Sequence, residues 1–277
     1  MQNKFTTLLL GDVYSDSGCG VLLLKLPNLR KQMHADFVIA NGENACHGFG
    51  ISIDNMNLLF RSGVDVITSG NHIWQQDEIF PFLDSQPNIL RPANYSSTLP
   101  GHGYCFANPS VSSGFTLSNS NASAVLQAGG AAVINVQGRV NMPSIEDPFK
   151  SVSECLRQLK GKARQIFVDV HAESCEEKEA LAFYLATQVT AVVGTHIHVQ
   201  TADERIIRNH TAYITDLGMC GPSDSVIGCD VNLAIRRQKT QLPIKAQAAD
   251  TPAQINGVKV VSDAETGKAL SIERFTL

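Results

Sequence analysis

Short apolar runs, each stopped by a cluster of glycine, asparagine and charged residues, recur along this chain. Residues 5–10 read as a strand that stops at Gly11-Asp12. Residues 36–40 form a second run before Asn41-Gly42-Glu43-Asn44, and 64–68 a third before Ser69-Gly70-Asn71-His72. Residues 165–170 end at His171, and 190–193 run into Gly194-Thr195-His196-Ile197-His198. Brief continuous apolar segments bounded by turn residues suit strands buried on both faces. Between them, residues 21–33 repeat leucine at helical spacing, with Pro27 early in the helix or breaking it. Ser52 can cap a helix to about Ser62 with Met56, Leu59 and Phe60 on one face. Residues 75–83 read as a short helix and 231–237 as a late one. Further strands are expected at 131–136, 212–214, 257–261 and 270–275. The order of strand, polar loop and helix predicts a doubly wound α/β sheet. In such sheets function sits beyond the carboxyl ends of the strands, and all five polar clusters fall there.

The chain has 277 residues, 43% of them hydrophobic and 17% charged, which reads as one well-buried globular domain over 1–277. The net charge of −4 comes with no basic patch, so no long nucleic acid is expected as a partner. The first apolar run is too short for a signal segment or a membrane span, and a cytoplasmic location is expected. The seven cysteines are odd in number, scattered and without a C-x-x-C, the pattern of reduced and mostly buried thiols. Sequons at Asn94, Asn121 and Asn209 read as chance matches. Residues 110–123 are rich in serine, asparagine and glycine and read as an exposed tip or insertion.

The polar clusters offer oxygen and imidazole donors with no thiolate among them. That mixture suits two hard or borderline divalent metals, iron or manganese, with zinc possible. Two metals together are a device for splitting phosphate esters. Histidines at 196 and 198 can aim two rings at one point. Glu43 and Asp12 taken singly could be helix caps or loop acids, and asparagine beside glycine, as at Asn44 and Asn71, is common in turns. His34, His47, His102 and His210 read as ordinary surface or core residues. Gly18-Cys19-Gly20 and Gly48-Phe49-Gly50 lack phosphate-loop spacing and read as turns. Cys175 reads as a packing thiol, and Asp216 as a supporting residue rather than a ligand.

Gly11-Asp12-Val13, Asn41-Gly42-Glu43-Asn44-Ala45, Gly70-Asn71-His72, Arg91-Pro92-Ala93-Asn94, Gln137-Gly138-Arg139, Asp169-Val170-His171-Ala172-Glu173, the run from Val193 through His198 to Asp203, and Tyr213 through Asp216 to Met219 together resemble the bacterial YmdB-like branch of the calcineurin-type metallophosphoesterases. The resemblance is collinear from about Leu8 onward, with residues near 110–125 as an insertion. It implies a metallophosphoesterase-type α/β sandwich, with two mixed β-sheets flanked by helices, and a dinuclear metal site. It implies homo-oligomers, and hydrolysis of 2′,3′-cyclic nucleotides to 3′-nucleotides by opening the bond to the 2′ oxygen. It assigns Asp12, Glu43, Asn44 and His198 to one metal, and Glu43, Asn71, His171 and His196 to the other. Glu43 is the bridge and His72 the general acid. The wider superfamily's Asp-x-His is absent, since Val13 and Tyr14 follow Asp12, and Ile73 stands where an acid usually follows Gly-Asn-His. Both departures agree with the YmdB-like branch and remove any substrate inference from phosphoprotein phosphatases. The alternatives are a broader phosphodiesterase or phosphomonoesterase, and a low-turnover protein that binds a nucleotide or an RNA end.

Overall fold

The structure is a computed structural model that describes residues 4–107 and 130–277. The expected insertion near 110–125 lies outside the described residues. In chain order, β1 (Lys4–Tyr14), α1 (Ser15–Gln32), β2 (Phe37–Asn44), α2 (Ile53–Ser62) and β3 (Val66–Thr68) come first. Two 3-10 turns, Asn71–Gln75 and Asp77–Ile79, lead into α3 (Phe80–Ser85). β4 (Tyr104–Ala107), β5 (Ala131–Gln137), α4 (Pro148–Leu159), β6 (Gln165–His171), α5 (Cys175–Leu185) and β7 (Ala191–Thr195) follow. β8 (Arg205–Ile207), β9 (Thr211–Ile214), β10 (Met219–Pro222), α6 (Val231–Thr240), β11 (Ala253–Gln254), β12 (Asn256–Asp263) and β13 (Ala269–Thr276) complete the described chain. No helix among the described residues is long and apolar enough to cross a membrane.

The strands form two mixed sheets, as the family resemblance implies, and not the doubly wound sheet that the strand–helix alternation alone predicts. One runs β11-β10-β1-β12-β13, with β2 and β3 on the other edge of β1. The other runs β4-β5-β6-β7-β9-β8. The sheets face each other across a shared core in which Phe5, Leu9, Phe37 and Ile39 of the first meet Val133, Phe167 and Val193 of the second. Their alternate neighbours turn the other way. Leu8, Leu10 and Val38 pack under α1 and α2 with Leu22, Leu26 and Leu59. Ile134, Val168 and Val170 pack under α4 and α5 with Val152, Leu181 and Leu185. A strand buried on both faces is equally apolar between two helix layers and between a helix layer and a second sheet, so the hydrophobic pattern fits both arrangements.

Three local expectations are corrected. Pro27 does not break α1, which starts at Ser15 and carries Pro27 in its interior. An interior proline costs about 3 kcal/mol, offset here by the buried Leu22, Leu26 and Leu29. Gly18-Cys19-Gly20 is part of that helix rather than a turn, and a Cβ on Gly18 would come 2.2 Å from the Cys220 carbonyl oxygen, so the glycine lets α1 lie on β10. The helix expected over 75–83 is broken into 3-10 turns and α3. Pro81, with no N–H to give, suits only the first turn of α3. Elsewhere α2 has a capping box between Ser52 and Asn55 and a left-handed Gly63 at its end.

Candidate metal centre

Five strands deliver their carboxyl ends to one rim. β1 and β2 run further than their apolar stretches, so Asp12, Glu43 and Asn44 lie inside strands and are buried. β3 leads into Gly70-Asn71-His72, β6 ends on His171, and β7 leads into the loop that carries His196 and His198. That loop is strained. His196 and His198 have φ of 101° and 68°, in the left-handed region that side chains with a Cβ avoid. It is held by Asp216, whose Oδ2 accepts from Ile197 N at 3.1 Å and from Lys178 Nζ at 2.9 Å. The Asp216 and Lys178 side chains are both fully buried. Asp216 thus supports the loop and is not one of the converging donors.

The rings and oxygens point at common space. Glu43 Oε1 lies 3.0 Å from His171 Nε2 and 3.2 Å from His72 Nδ1. His196 Nδ1 is 3.0 Å from His171 Nε2. Glu43, His171 and His196 each bring one donor atom within 4.8 Å of the others. Asn44 spans the other side, with Nδ2 3.0 Å from His198 Nε2 and Oδ1 2.9 Å from His72 Nδ1. His198 Nε2 is 3.9 Å from Asp12 Oδ1. Gly70 makes room for this, because a Cβ there would come 2.2 Å from Glu43 Oε2 and 2.4 Å from His171 Nε2.

The outward nitrogens are anchored, which sets the inward lone pairs. Thr195 Oγ1 donates to Asp169 Oδ1 at 2.8 Å and so accepts from His171 Nδ1 at 2.9 Å. His198 Nδ1 donates to the Ile227 carbonyl at 2.9 Å. His196 Nε2 faces Glu173 Oε2 at 3.1 Å. Partners of this kind fix the tautomer and orientation of metal-binding imidazoles. Thr195, Glu173 and the Ile227 carbonyl were not singled out as anchors from the sequence. The spacing of Asp169 and Glu173 two residues either side of His171 is a signal for two members of this outer ring. Nothing in the sequence signals the Ile227 carbonyl.

Three buried oxygens in the cluster, Asp12 Oδ1, Glu43 Oε1 and Asn71 Oδ1, accept no aligned hydrogen bond. A buried acceptor without a partner costs about 1–3 kcal/mol. Asp12 Oδ1 and Glu43 Oε1 face imidazole nitrogens, and with them form a donor set that fits divalent cations. The electrostatics agree. Burial pushes the Asp12 carboxyl up, to about 6, against the pull of His198 and His171. Burial would raise Glu43 too, but His171 and His72 outweigh it and hold Glu43 well below the usual carboxylate range. Burial opposes charge on His171, yet Glu43, Asp12 and Asp169 pull it up to about 9. Burial and the neighbouring His171 charge push His196 down.

All eight residues named from the sequence, Asp12, Glu43, Asn44, Asn71, His72, His171, His196 and His198, lie on this rim. His47 does not reach it; it is exposed, 3.6 Å from Asp16. Cys175 is exposed at the start of α5, so it is not the packing thiol expected, while five of the other six cysteines are buried. Its place on the first turn leaves it outside the core face of the helix.

The model of the YmdB-like protein family matches residues 8–275. A 2′,3′-cyclic-nucleotide 2′-phosphodiesterase of Bacillus subtilis (strain 168) is 40% identical over 270 residues, covering 98% of this chain and 96% of that protein. A putative phosphatase/phosphodiesterase of Mycoplasma pneumoniae is 33% identical, covering 100% of this chain and 94% of that one. Two solved structures share the fold. A hypothetical protein from Thermus thermophilus has a TM-score of 0.86 at 33% identity, covering 99% of each chain. A novel phosphatase from Mycoplasma pneumoniae has a TM-score of 0.86 at 32% identity, covering 100% of this chain and 94% of that one. Two mixed sheets flanked by helices, with a carboxylate–amide–imidazole cluster on the rim, define the class of metallophosphoesterase-type α/β sandwiches. Within that class the chain belongs to the YmdB-like protein family.

Proposed function

We propose that this chain is a phosphoric diester hydrolase that opens 2′,3′-cyclic nucleotides at the 2′ oxygen and releases 3′-nucleotides. The observation that carries the reading is the convergence of Glu43, His171 and His196, whose donor atoms lie within 4.8 Å of one another, with the buried Asp12 Oδ1 3.9 Å from the rings of His171 and His198. The likeness across nearly the whole chain to a relative named for this reaction supports the substrate. Asp12, Glu43, Asn44 and His198 would hold one divalent ion and Glu43, Asn71, His171 and His196 a second, with iron or manganese suiting the donors best. When bound, such ions supply Lewis acidity, which lowers the pKa of a water and offsets phosphate charge. The amide oxygen of Asn44 must then face His198; its oxygen and nitrogen differ little in shape, and a half-turn of the amide exchanges them.

His72 is the proton donor in this reading. Its Nδ1 sits between Asn44 Oδ1 and Glu43 Oε1, and its side chain is 25% exposed. Once the Asn44 amide has turned its oxygen to His198, Nδ1–H of His72 goes to Glu43 Oε1 alone, and an imidazolium keeps Nε2–H for the leaving group. Water oxygen bonds to phosphorus and gives up one proton to solvent, the bond from phosphorus to O2′ breaks, and O2′ takes its electron pair and the His72 proton. The cyclic diester becomes a 3′-monoester. A single domain, a cytoplasmic location and a homo-oligomeric state belong to the same proposal.

The test is a side-by-side assay of 2′,3′-cyclic AMP, bis(p-nitrophenyl) phosphate and p-nitrophenyl phosphate, with metal content and product position measured on the same preparation. 3′-AMP is the expected product. Formation of 2′-AMP would overturn the assigned bond. Faster turnover of the monoester would favour the phosphatase reading that the names of the Mycoplasma pneumoniae relative and solved structure allow.

A further inference from the structure

The turn Gly48-Phe49-Gly50 takes no part in the chemistry above, yet it stands beside His72. Gly48 and Gly50 are both left-handed, with φ of 90° and 77°. A Cβ on Gly48 would come 2.8 Å from Tyr14 Oη, and one on Gly50 3.1 Å from the His72 carbonyl oxygen. The backbone between them is fastened. Phe49 N donates to the Cys46 carbonyl at 2.9 Å, Cys46 N to the Gly50 carbonyl at 2.9 Å, and Gln76 Nε2 to the Phe49 carbonyl at 2.9 Å. This pinned turn leaves the Phe49 side chain 38% exposed. Its ring meets the His72 ring edge-on, with centroids 5.2 Å apart and planes at 60°. A rigid turn that holds a phenyl ring at the surface against one catalytic side chain is not explained by core packing.

The substrate's connectivity says what that ring would meet. The bond that breaks is to O2′, which is carried by C2′. C2′ is bonded to C1′, which bears the base. A group that protonates O2′ therefore stands beside the base, and so does an aromatic ring in contact with that group. We propose that Phe49 is the stacking platform for the nucleobase and sets the preference for nucleotides over cyclic phosphates without a base. The proposal rests on the cyclic-nucleotide reading of the site. Every base has a π-face, so the platform accepts all of them and favours purines only by stacking strength.

The test compares the metal-loaded wild-type chain with Phe49→Ala and Phe49→Trp, using 2′,3′-cyclic AMP and methyl riboside 2′,3′-cyclic phosphate. In Phe49→Ala the ratio of kcat/KM for the nucleotide to that for the riboside falls on the order of 10-fold, mainly through KM. Phe49→Trp restores the ratio. Calorimetric Kd values for 3′-AMP and ribose 3-phosphate give a second readout that needs no turnover. In Phe49→Ala the ratio of the Kd for 3′-AMP to that for ribose 3-phosphate rises by a similar factor. Equal losses on both substrates overturn the proposal, since Phe49 would then serve only to hold His72; an unchanged ratio of Kd values also overturns it. A wild-type chain that opens no cyclic nucleotide, but binds 3′-AMP through Phe49, sinks the reaction assigned above and leaves the platform standing.

Discussion

At the scale of single residues, the proposed reading separates groups that hold charge from one, His72, that would move a proton. His72 touches Glu43 and Asn44 yet stays partly exposed, whereas His171 is fully buried. His72→Ala is expected to lower turnover about 10²–10⁴-fold, the usual worth of a general acid, while metal content by elemental analysis stays at the wild-type level. Loss of metal along with activity would make His72 a ligand instead. The pair His171–His196 leads to a second expectation. In the metal-free chain the neighbouring carboxylates pull His171 up to about 9, so it carries its proton at neutral pH, and its Nε2 must lose that proton to bind a cation. Metal uptake at pH 7 should release close to one proton per chain from this group, and apparent affinity should climb with pH and level off near 9. Titration calorimetry with manganese in two buffers of different ionisation enthalpy measures the release; identical heats would contradict it. Among these residues, the histidines and acids were readable from the sequence because each follows an apolar run. Asn44 and Asn71 carried no such physical signal, since asparagine beside glycine fits a turn as well, and the family resemblance supplied them.

At the scale of elements, the decisive unit is the loop after β7. Two left-handed histidines in three residues demand outside support, and α5 provides it through the Lys178–Asp216 pair. Lys178→Met leaves Asp216 buried without its cation and should cost about 3–5 kcal/mol, the range for breaking a buried pair. Denaturant unfolding of the metal-free chain reads this directly. Adding Asp216→Asn should recover part of the loss, and an unchanged midpoint for the single variant would mean that the loop does not depend on the pair. Neither α4 nor α5 was anticipated from the pattern, and Lys178 reads in the sequence as one more surface lysine. Its burial is decided by what lies across from α5. Pro27 teaches the same lesson from the other side. Local propensity argues for a break, and tertiary contacts of Leu22, Leu26 and Leu29 override it.

At the scale of the whole molecule, the site joins the two sheets. Asp12, Glu43, Asn44 and Asn71 come from the first sheet and its loops, and His171, His196 and His198 from the second. In the proposed reading an ion held by both sides would clamp the sandwich and bind only the folded chain. At a metal concentration about 100 times Kd the stabilisation is about 2.7 kcal/mol, which corresponds to roughly 5 °C or more in Tm for a chain of this size. A thermal melt with manganese and with chelator checks this, and coincident curves would argue against a centre shared by the sheets. The sequence by itself determined where the long buried strands lie, and which acids and imidazoles stand at their polar ends, because burial writes a local, periodic pattern; the short strands β4, β8, β10 and β11 carry too little of that pattern to be read. The apolar pattern left one sheet or two open, and the family resemblance implied two; only the tertiary structure decided that Glu43 and Asn44 lie inside a strand, that Ile227 offers its carbonyl to His198, and that Phe49 stands against His72. Those facts depend on which residues face one another across intervening elements of the chain, and no local pattern of apolar and polar residues encodes a partner that far away.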